Sequence, residues 1–278
     1  MKGSLYVVAT PIGNLGDITL RALDVLKSAD VVAAEDTRTT SVLLNHYAIS
    51  TRLISLHKHN EKERCEAILD LLREGRKVAL VSDAGTPAIS DPGATLVQAA
   101  RDAGFDVVPI PGANAAIAAL CASGLSEDGF LFAGFLPSKS SARKKALDLL
   151  KDTPVSLVFF EAPHRIVECA KDLAEILGGG RRVVFAREIT KRFETIHSCF
   201  LSDAQDWLVT QARGEFVVVV EGAKLEKQEG LSEEGKRVLE ILIESVPLTQ
   251  AVKLASKITG EGRNALYAHA LVKEKGKE

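Results

Sequence analysis

The chain has 278 residues, enough for two domains or for one large domain with an appendage. Its apolar fraction of 46% and charged fraction of 26% are those of an ordinary globular protein. A formal charge of -2 supplies no whole-molecule field to draw in a polyanion, so any nucleic-acid contact must come from local patches.

No apolar run reaches the roughly 18 residues of a spanning helix, so no membrane association is expected. Met1-Lys2-Gly3-Ser4 leads straight into an apolar strand without the length or cleavage pattern of a signal peptide, so a cytoplasmic protein is expected. Cys65, Cys121, Cys169 and Cys199 are widely spaced and form no C-x-x-C pair. They read as buried free thiols in a reducing compartment, with neither disulfides nor zinc.

Strands and helices alternate from the start. Leu5 to Ala9 reads as a strand, and Asp17 with Thr19 caps a helix running to Ser28. A strand over 31–34, a helix over 41–46 and a strand over 53–56 follow. Residues 60–74 are amphipathic, with Cys65, Ile68, Leu69 and Leu72 on one face and Gly75 as the stop. A strand over 78–82, a helix over 95–103, a strand over 107–110 and a small-residue helix over 114–123 complete this half. The second half repeats the rhythm, with strands near 130–135, 156–160, 182–186, 194–200 and 216–220 and helices over 142–150, 164–177 and 204–210. Valine-rich strands flanked by helices indicate sheets buried on both faces.

The expected architecture is therefore α/β: two consecutive α/β lobes, 1–124 and 125–223, joined near Gly124 to Gly129. A charged, Gly-containing stretch from Lys224 to Gly235 reads as a linker. Three short helices near 233–245, 249–258 and 263–272, punctuated by Pro247 and Gly260-Glu261-Gly262, form a small helix-turn-helix-like unit over 231–278.

Ligands of open α/β sheets sit beyond the carboxyl ends of the strands, so the turns there carry the functional signal. Four stand out. Thr10-Pro11-Ile12-Gly13-Asn14-Leu15-Gly16-Asp17 lets backbone amides approach a ligand but lacks the G-x-G-x-x-G dinucleotide pattern. Ser82-Asp83-Ala84-Gly85-Thr86-Pro87, continuing to Ser90-Asp91-Pro92-Gly93, is either a rigid concave loop or a tight turn capped by Asp83. Pro109-Ile110-Pro111-Gly112-Ala113-Asn114-Ala115-Ala116 leaves room for a flat ring, or packs a helix closely on a sheet. Phe159-Phe160-Glu161-Ala162-Pro163-His164-Arg165 concentrates a carboxylate, an imidazole and a guanidinium at a strand end, and few helix caps use such residues.

These pieces, with Phe135-Leu136-Pro137, Ala186-Arg187-Glu188-Ile189-Thr190-Lys191, Glu194-Thr195-Ile196-His197, Gly214-Glu215-Phe216 and Asn264-Ala265-Leu266-Tyr267, run in order over nearly the whole chain. Together they resemble the tetrapyrrole methylase superfamily. Within it they are similar to the branch that methylates the 2′-hydroxyl of a cytidine in 16S ribosomal RNA of the small subunit. The resemblance implies S-adenosylmethionine as methyl donor in a cleft between two α/β lobes, and a homodimer. It implies donor contacts from Pro11, Ile12, Gly13, Asp83, Ala84, Gly85, Thr86, Pro87, Gly112, Ala113, Asn114, Ala115, Leu136 and Phe160. Relatives carry a serine or threonine near Asn114, so the contact there departs from the pattern.

The chemistry asks for orientation of the acceptor oxygen, a base and exclusion of water, with no metal. Glu161 and His164 are the first candidate bases, then Glu188, and Lys191 if burial lowers its pKa. Glu161 paired with Arg165 or Arg187 is the competing structural reading. RNA contact is expected from Lys139, Arg143 and Lys144, from Arg165, Arg187, Lys191 and Arg192, and from the tail. From Val246 onward the tail carries Lys253, Lys257, Arg263, Lys273, Lys275 and Lys277 against three Glu, with Tyr267 and His269 placed to stack on bases. The alternatives are a methyltransferase acting on a porphyrin or corrin precursor, and a non-catalytic RNA-binding assembly factor that keeps the fold.

Overall fold

A computed structural model describes residues 2–125, 129–224 and 231–275. The chain divides into two compact units, Met1–Ala223 and Lys224–Glu278. Part of the expected inter-lobe join and half of the expected linker lie outside the described residues.

The first sheet of the larger unit contains β1 (Ser4–Val8), β2 (Val31–Ala34), β3 (Arg52–Ser55), β4 (Lys77–Val81) and β5 (Asp106–Ile110) in the order β3-β2-β4-β1-β5. All four pairings are parallel. Helices cover both faces, as parallel sheets require. On one face Ile68, Leu69 and Leu72 of α3 (Glu61–Arg73) and Leu96 of α4 (Ala94–Asp102) pack on Leu5, Val78 and Leu80. On the other, Ala22 and Leu26 of α1 (Leu20–Ser28) and Leu44 of α2 (Thr37–His46) pack on Val8, Val32 and Val81. Thr19 caps α1 by accepting from the Ala22 N–H at 3.1 Å, as its position implies. Helix α2 starts four residues earlier than the apolar pattern suggests, because Asp36 accepts from the Arg38 N–H at 2.8 Å and caps it.

The second sheet holds β6 (Phe130–Phe135), β7 (Ser156–Glu161), β8 (Arg182–Arg187), β9 (Thr195–Phe200) and β10 (Phe216–Val220) in the order β6-β7-β10-β8-β9. Only β6 and β7 pair in parallel; the three other pairings are antiparallel. Burial on both faces thus holds for the central β7, β8 and β10, while the edge strands β6 and β9 alternate with exposed positions. One face is covered by α6 (Ser140–Asp148), α7 (Ile166–Leu177) and α8 (Ala204–Gln211). The other is covered by α5 (Ala115–Ser123), whose Ala116, Ala119 and Leu120 pack on Val158, Val184 and Val217. Helix α5 follows the last strand of the first sheet in sequence but serves the second sheet in packing.

The smaller unit contains α9 (Glu233–Ile243), α10 (Leu248–Thr259) and α11 (Arg263–Lys275) around Leu231, Leu239, Val252, Ala255 and Leu266. Ser232 caps α9 through the Gly235 N–H, and Gly260 ends α10 in the left-handed conformation at φ 77°. No helix among the described residues is long and apolar enough to cross a membrane.

The thiols differ from expectation in one respect. Cys65 and Cys169 are buried and Cys199 is half-buried, but Cys121 is exposed on α5. All four are free.

Candidate active site

Strands β4, β1 and β5 are neighbours, so the turns at their carboxyl ends come together. Thr10 and Gly85 form an antiparallel bridge: the Thr10 N–H donates to Gly85 O at 2.8 Å and the Gly85 N–H donates back at 3.1 Å. The Thr10 hydroxyl, 3% exposed, donates to Ser82 O. Thr86 Oγ1 then donates to Ala113 O at 3.2 Å, tying in the turn before α5. Asn114 caps α5 through the Ile117 N–H.

The second sheet supplies the opposing groups, because β6, β7 and β8 end, and the antiparallel β10 begins, at one edge. A Cβ on Gly13 would lie 2.5 Å from Lys191 Cγ and 2.9 Å from Thr190 Oγ1, so the first turn meets the loop after β8 with backbone alone. Gly85 has φ 81°, and a Cβ there would lie 3.3 Å from Ile12 Cγ2. Strain concentrates in the same loops. Of the five described non-glycine residues with positive φ, Ala88 and Ser90 follow β4, and Glu188 and Thr190 follow β8.

Two cavities result. The first, of about 470 Å³, is lined by Gly85, Thr86, Asp91, Asn114, Ala115 and Phe160, among others. Phe160 meets Phe135 at 5.5 Å between ring centroids, giving the cavity an aromatic wall. The second, of about 440 Å³, runs along Pro11, Gly13, Asn14, Thr40, Val42, Asp83 and Lys191. Ile12, Ala84 and Glu215 line both.

The expected donor residues therefore divide. Ile12, Ala84, Gly85, Thr86, Asn114, Ala115 and Phe160 line the first cavity, and Pro11, Gly13 and Asp83 line the second. Pro87, Gly112, Ala113 and Leu136 line neither. A Cβ on Gly112 would lie 2.9 Å from the Ala9 Cβ, so that glycine serves close packing. Ala113 offers its carbonyl to Thr86, and buried Leu136 offers its own to Arg165 at 2.7 Å.

The expected bases are held by partners to different degrees. Glu161, 3% exposed, accepts from its neighbour's Ala162 N–H at 2.8 Å and pairs with Arg165 at 3.1 Å. It lines the first cavity, but both oxygens are engaged. His164 is exposed and lines neither cavity. Lys191 is 2.9 Å from Glu188 and 2.9 Å from Glu215. Burial alone would lower its pKa, but the two carboxylates outweigh burial and raise it, so it stays protonated. Burial works likewise against Glu188, whose pKa is nevertheless lowered by the Glu215 N–H and by Lys191.

The residue the sequence reading passed over is Asp91. Its carboxyl lines the first cavity and faces no cation among the described residues. Burial, with repulsion from Glu35 and Asp83, pushes its pKa up to about 6, against a hydrogen bond with Ser82. Glu35, at the end of β2, is itself raised by burial and by Asp83 and Asp36, against the Asp83 N–H and His57. The signal was an Asp between Ser and Pro in a loop after a buried strand, and a turn-former reads the same.

Among the expected RNA contacts, Arg143 is corrected. It is fully buried, with Nη2 2.7 Å from Asp172 and Nη1 donating to Ser138 O at 3.1 Å. Helical spacing turns it inward, onto α7. Lys144 is partly covered and pairs with Glu175 at 2.7 Å, and Arg165 is committed to Glu161. Arg187 is half-buried and donates to Phe193 O at 3.3 Å. Lys139, Arg192, Lys253, Lys257, Arg263 and Tyr267 are exposed. The side chains of Lys273, Lys275 and Lys277 lie outside the described residues.

Comparison with known proteins identifies the family. Residues 4–205 match the family model described as Tetrapyrrole (Corrin/Porphyrin) Methylases, and residues 229–275 match the RsmI C-terminal HTH domain. The chain is 48% identical over 273 residues to Ribosomal RNA small subunit methyltransferase I of Escherichia coli O157:H7, covering 97% of this chain and 95% of that protein. It is 50% identical over 272 residues to the protein of that name from Neisseria meningitidis serogroup B, covering 97% and 93%. Among solved structures the methyltransferase CobJ is similar in fold, with a TM-score of 0.61 at 22% identity, covering 80% of this chain and 95% of that one. A uroporphyrin-III C-methyl transferase from Thermus thermophilus complexed with S-adenyl homocysteine gives 0.57 at 22%, covering 79% and 97%. Two sheets meeting at paired loops, a matched C-terminal helical unit and near-half identity along the chain make this protein a member of the tetrapyrrole methylase family, alongside the ribosomal RNA small subunit methyltransferase I proteins.

Proposed function

We propose that the chain is an S-adenosylmethionine-dependent methyltransferase acting on the 2′-hydroxyl of a cytidine in 16S ribosomal RNA. One observation carries the choice of substrate. Identity to Ribosomal RNA small subunit methyltransferase I proteins extends over 97% of the chain, and residues 229–275 match the RsmI C-terminal HTH domain, whereas likeness to the solved porphyrin and corrin methylases covers about 80% of the chain at about 22% identity. The division into lobes over 1–124 and 125–223 and a helical domain over 231–278 belongs to the same reading.

The residues of the first cavity fit a cationic nucleoside. Its volume is in the range of small-molecule sites, Phe160 and Phe135 offer a flat apolar wall, and Asp91 offers a carboxylate with no protein cation beside it. Gly85, Thr86, Asn114, Ala115 and Phe160 would hold the donor, with Asp91 facing its positive charge. When bound, the donor supplies a methyl group already made electrophilic by its sulfonium. The protein's part is to orient and to exclude water. The Thr10–Gly85 bridge fixes the two turns against each other, and the Glu161–Arg165 and Lys191–Glu188–Glu215 pairs hold the facing loops. Exposed Lys253, Arg263 and Tyr267 suit the small helical unit to RNA contact. Exposed Ile117 on α5 and Ile196 on β9, elements in contact with each other, suit a homodimer face.

The test is transfer of a labelled methyl group to 30S subunits, to free 16S RNA and to uroporphyrinogen, followed by mass mapping of the product. Label on a cytidine ribose is the expected outcome; label on the porphyrinogen alone would reverse the choice of substrate.

A further inference from the structure

Half of the aromatic wall of the first cavity stands on an edge strand, where packing alone does little to fix it. Phe135 is 57% exposed and takes the last ladder position of β6, opposite Phe160. A β-bulge between Phe132 and Gly134 shifts the register, so Phe132 and Phe135, three positions apart, both meet the Phe160 ring, at 4.9 and 5.5 Å between centroids. The turn that follows Phe135 is held by two guanidinium groups. Arg165 Nη2 donates to Leu136 O at 2.7 Å, and Arg143 Nη1 donates to Ser138 O at 3.1 Å. Each arginine is anchored by a buried carboxylate, Arg165 by Glu161 at the end of β7 and Arg143 by Asp172 on α7. The buried Cys169 thiol donates to Glu161 as well.

We propose that Arg165 is a positioning residue for the methyl donor: with Arg143 it clamps the turn after β6 and so holds Phe135 against Phe160 as a preformed face of the first cavity. The proposal rests on the reading that this cavity holds the donor and adds what keeps its wall in place. Neither arginine lines either cavity, so both act through the turn. A wall ordered before binding spares the cost of immobilising a free side chain when the donor arrives. Buried ion pairs contribute little net stability over well-packed apolar groups, so two of them on one short turn are better explained by the geometry they impose. Lysine is no substitute at position 165. Its ammonium is a point charge, whereas the planar fork of Arg165 reaches Glu161 and Leu136 O together. The clamp also gives Glu161, a cavity-lining carboxylate, a role other than taking a proton.

The test is a double-mutant cycle between Arg165 and Phe135 in the full chain, read by calorimetry as the Kd for S-adenosylmethionine per folded molecule. Phe135→Ala trims an exposed side chain, so the fold should survive, and Kd should rise about tenfold. Arg165→Lys keeps a positive charge beside Glu161 and should raise Kd about fivefold. The two together should raise Kd no more than about twofold beyond F135A alone, because the clamp acts through the ring. With 30S subunits, R165K should raise KM for the donor while KM for the subunits stays within about twofold of wild type. Glu161→Gln with Arg165→Met removes the pair without leaving a buried charge, and crossed with F135A it gives the same readout should R165K not fold. Effects that multiply, to about fiftyfold in the double variant, would overturn the proposal. So would a wild-type Kd in either single variant. Absence of donor binding by the wild-type protein would instead strike the underlying reading.

Discussion

Asp91 carries the sharpest consequence at the scale of single residues. With its pKa pushed up to about 6 from an ordinary 3.8, the folded protein holds this proton more tightly than the unfolded chain does. That stabilising term is fully present below pH 3.8 and is lost as pH rises through 6. Asp91→Asn should therefore raise the midpoint of thermal unfolding at pH 7.5, by about 1 kcal/mol after solvent screening or about 2–4 °C, with the gain vanishing by pH 4. The same variant should weaken donor binding about tenfold or more at pH 7.5, measured by calorimetry. A midpoint unmoved at pH 7.5 would show that the carboxylate is not strained by burial and its neighbours. Gly85→Val is expected to abolish donor binding, since φ 81° is strained for valine and its Cβ would meet Ile12. Unchanged affinity would remove the loop from the donor site. The lining of the first cavity was partly legible beforehand: Gly85 and Asn114 stand in turns that composition marked, Phe160 stands at a marked strand end, and their expected donor contacts came from the family resemblance. Asp91 was not: its significance is the absence of a cation and the presence of Glu35, which comes from a strand 56 positions earlier in the sequence.

At the scale of elements, α6 shows where linear reading fails. Arg143, Lys144 and Lys145 look like one basic patch in sequence, but a helix spreads consecutive residues around its axis and puts Arg143 on the face that packs against α7. There it meets Asp172, which is 2% exposed. Arg143→Ala should destabilise the protein by about 3–5 kcal/mol through the uncompensated carboxylate, as denaturant unfolding would measure. RNA affinity per folded molecule should not change; a loss of affinity without a loss of stability would return Arg143 to the RNA surface. Helix α5 makes a related point. Its run of small residues allowed either room for a flat ring or close packing on a sheet; Ala116 and Ala119 pack closely, but on the second sheet, and no local pattern in a chain tells a helix which of two sheets it will cover. Strand positions were legible throughout because runs such as Val217–Val220 are apolar without interruption. Strand direction in the second sheet was not, since pairing is decided by partners far along the chain.

For the molecule as a whole, the division at Ala223 suggests a separable experiment. Truncation after Gly222 leaves both cavities intact and removes Lys253, Arg263 and Tyr267. Donor affinity should persist within about twofold, while affinity for 30S subunits should fall about tenfold or more; retention of both would mean that the helical unit does not serve the substrate. The most direct measurement is a crystal structure with S-adenosylhomocysteine and a short cytidine-containing RNA bound together. The thioether compound should lie against Gly85, Asn114 and Phe160, with a cytidine ribose next to its sulfur. Finding the donor away from these residues, or no ligand in either cavity at saturating concentration, would refute the assignment.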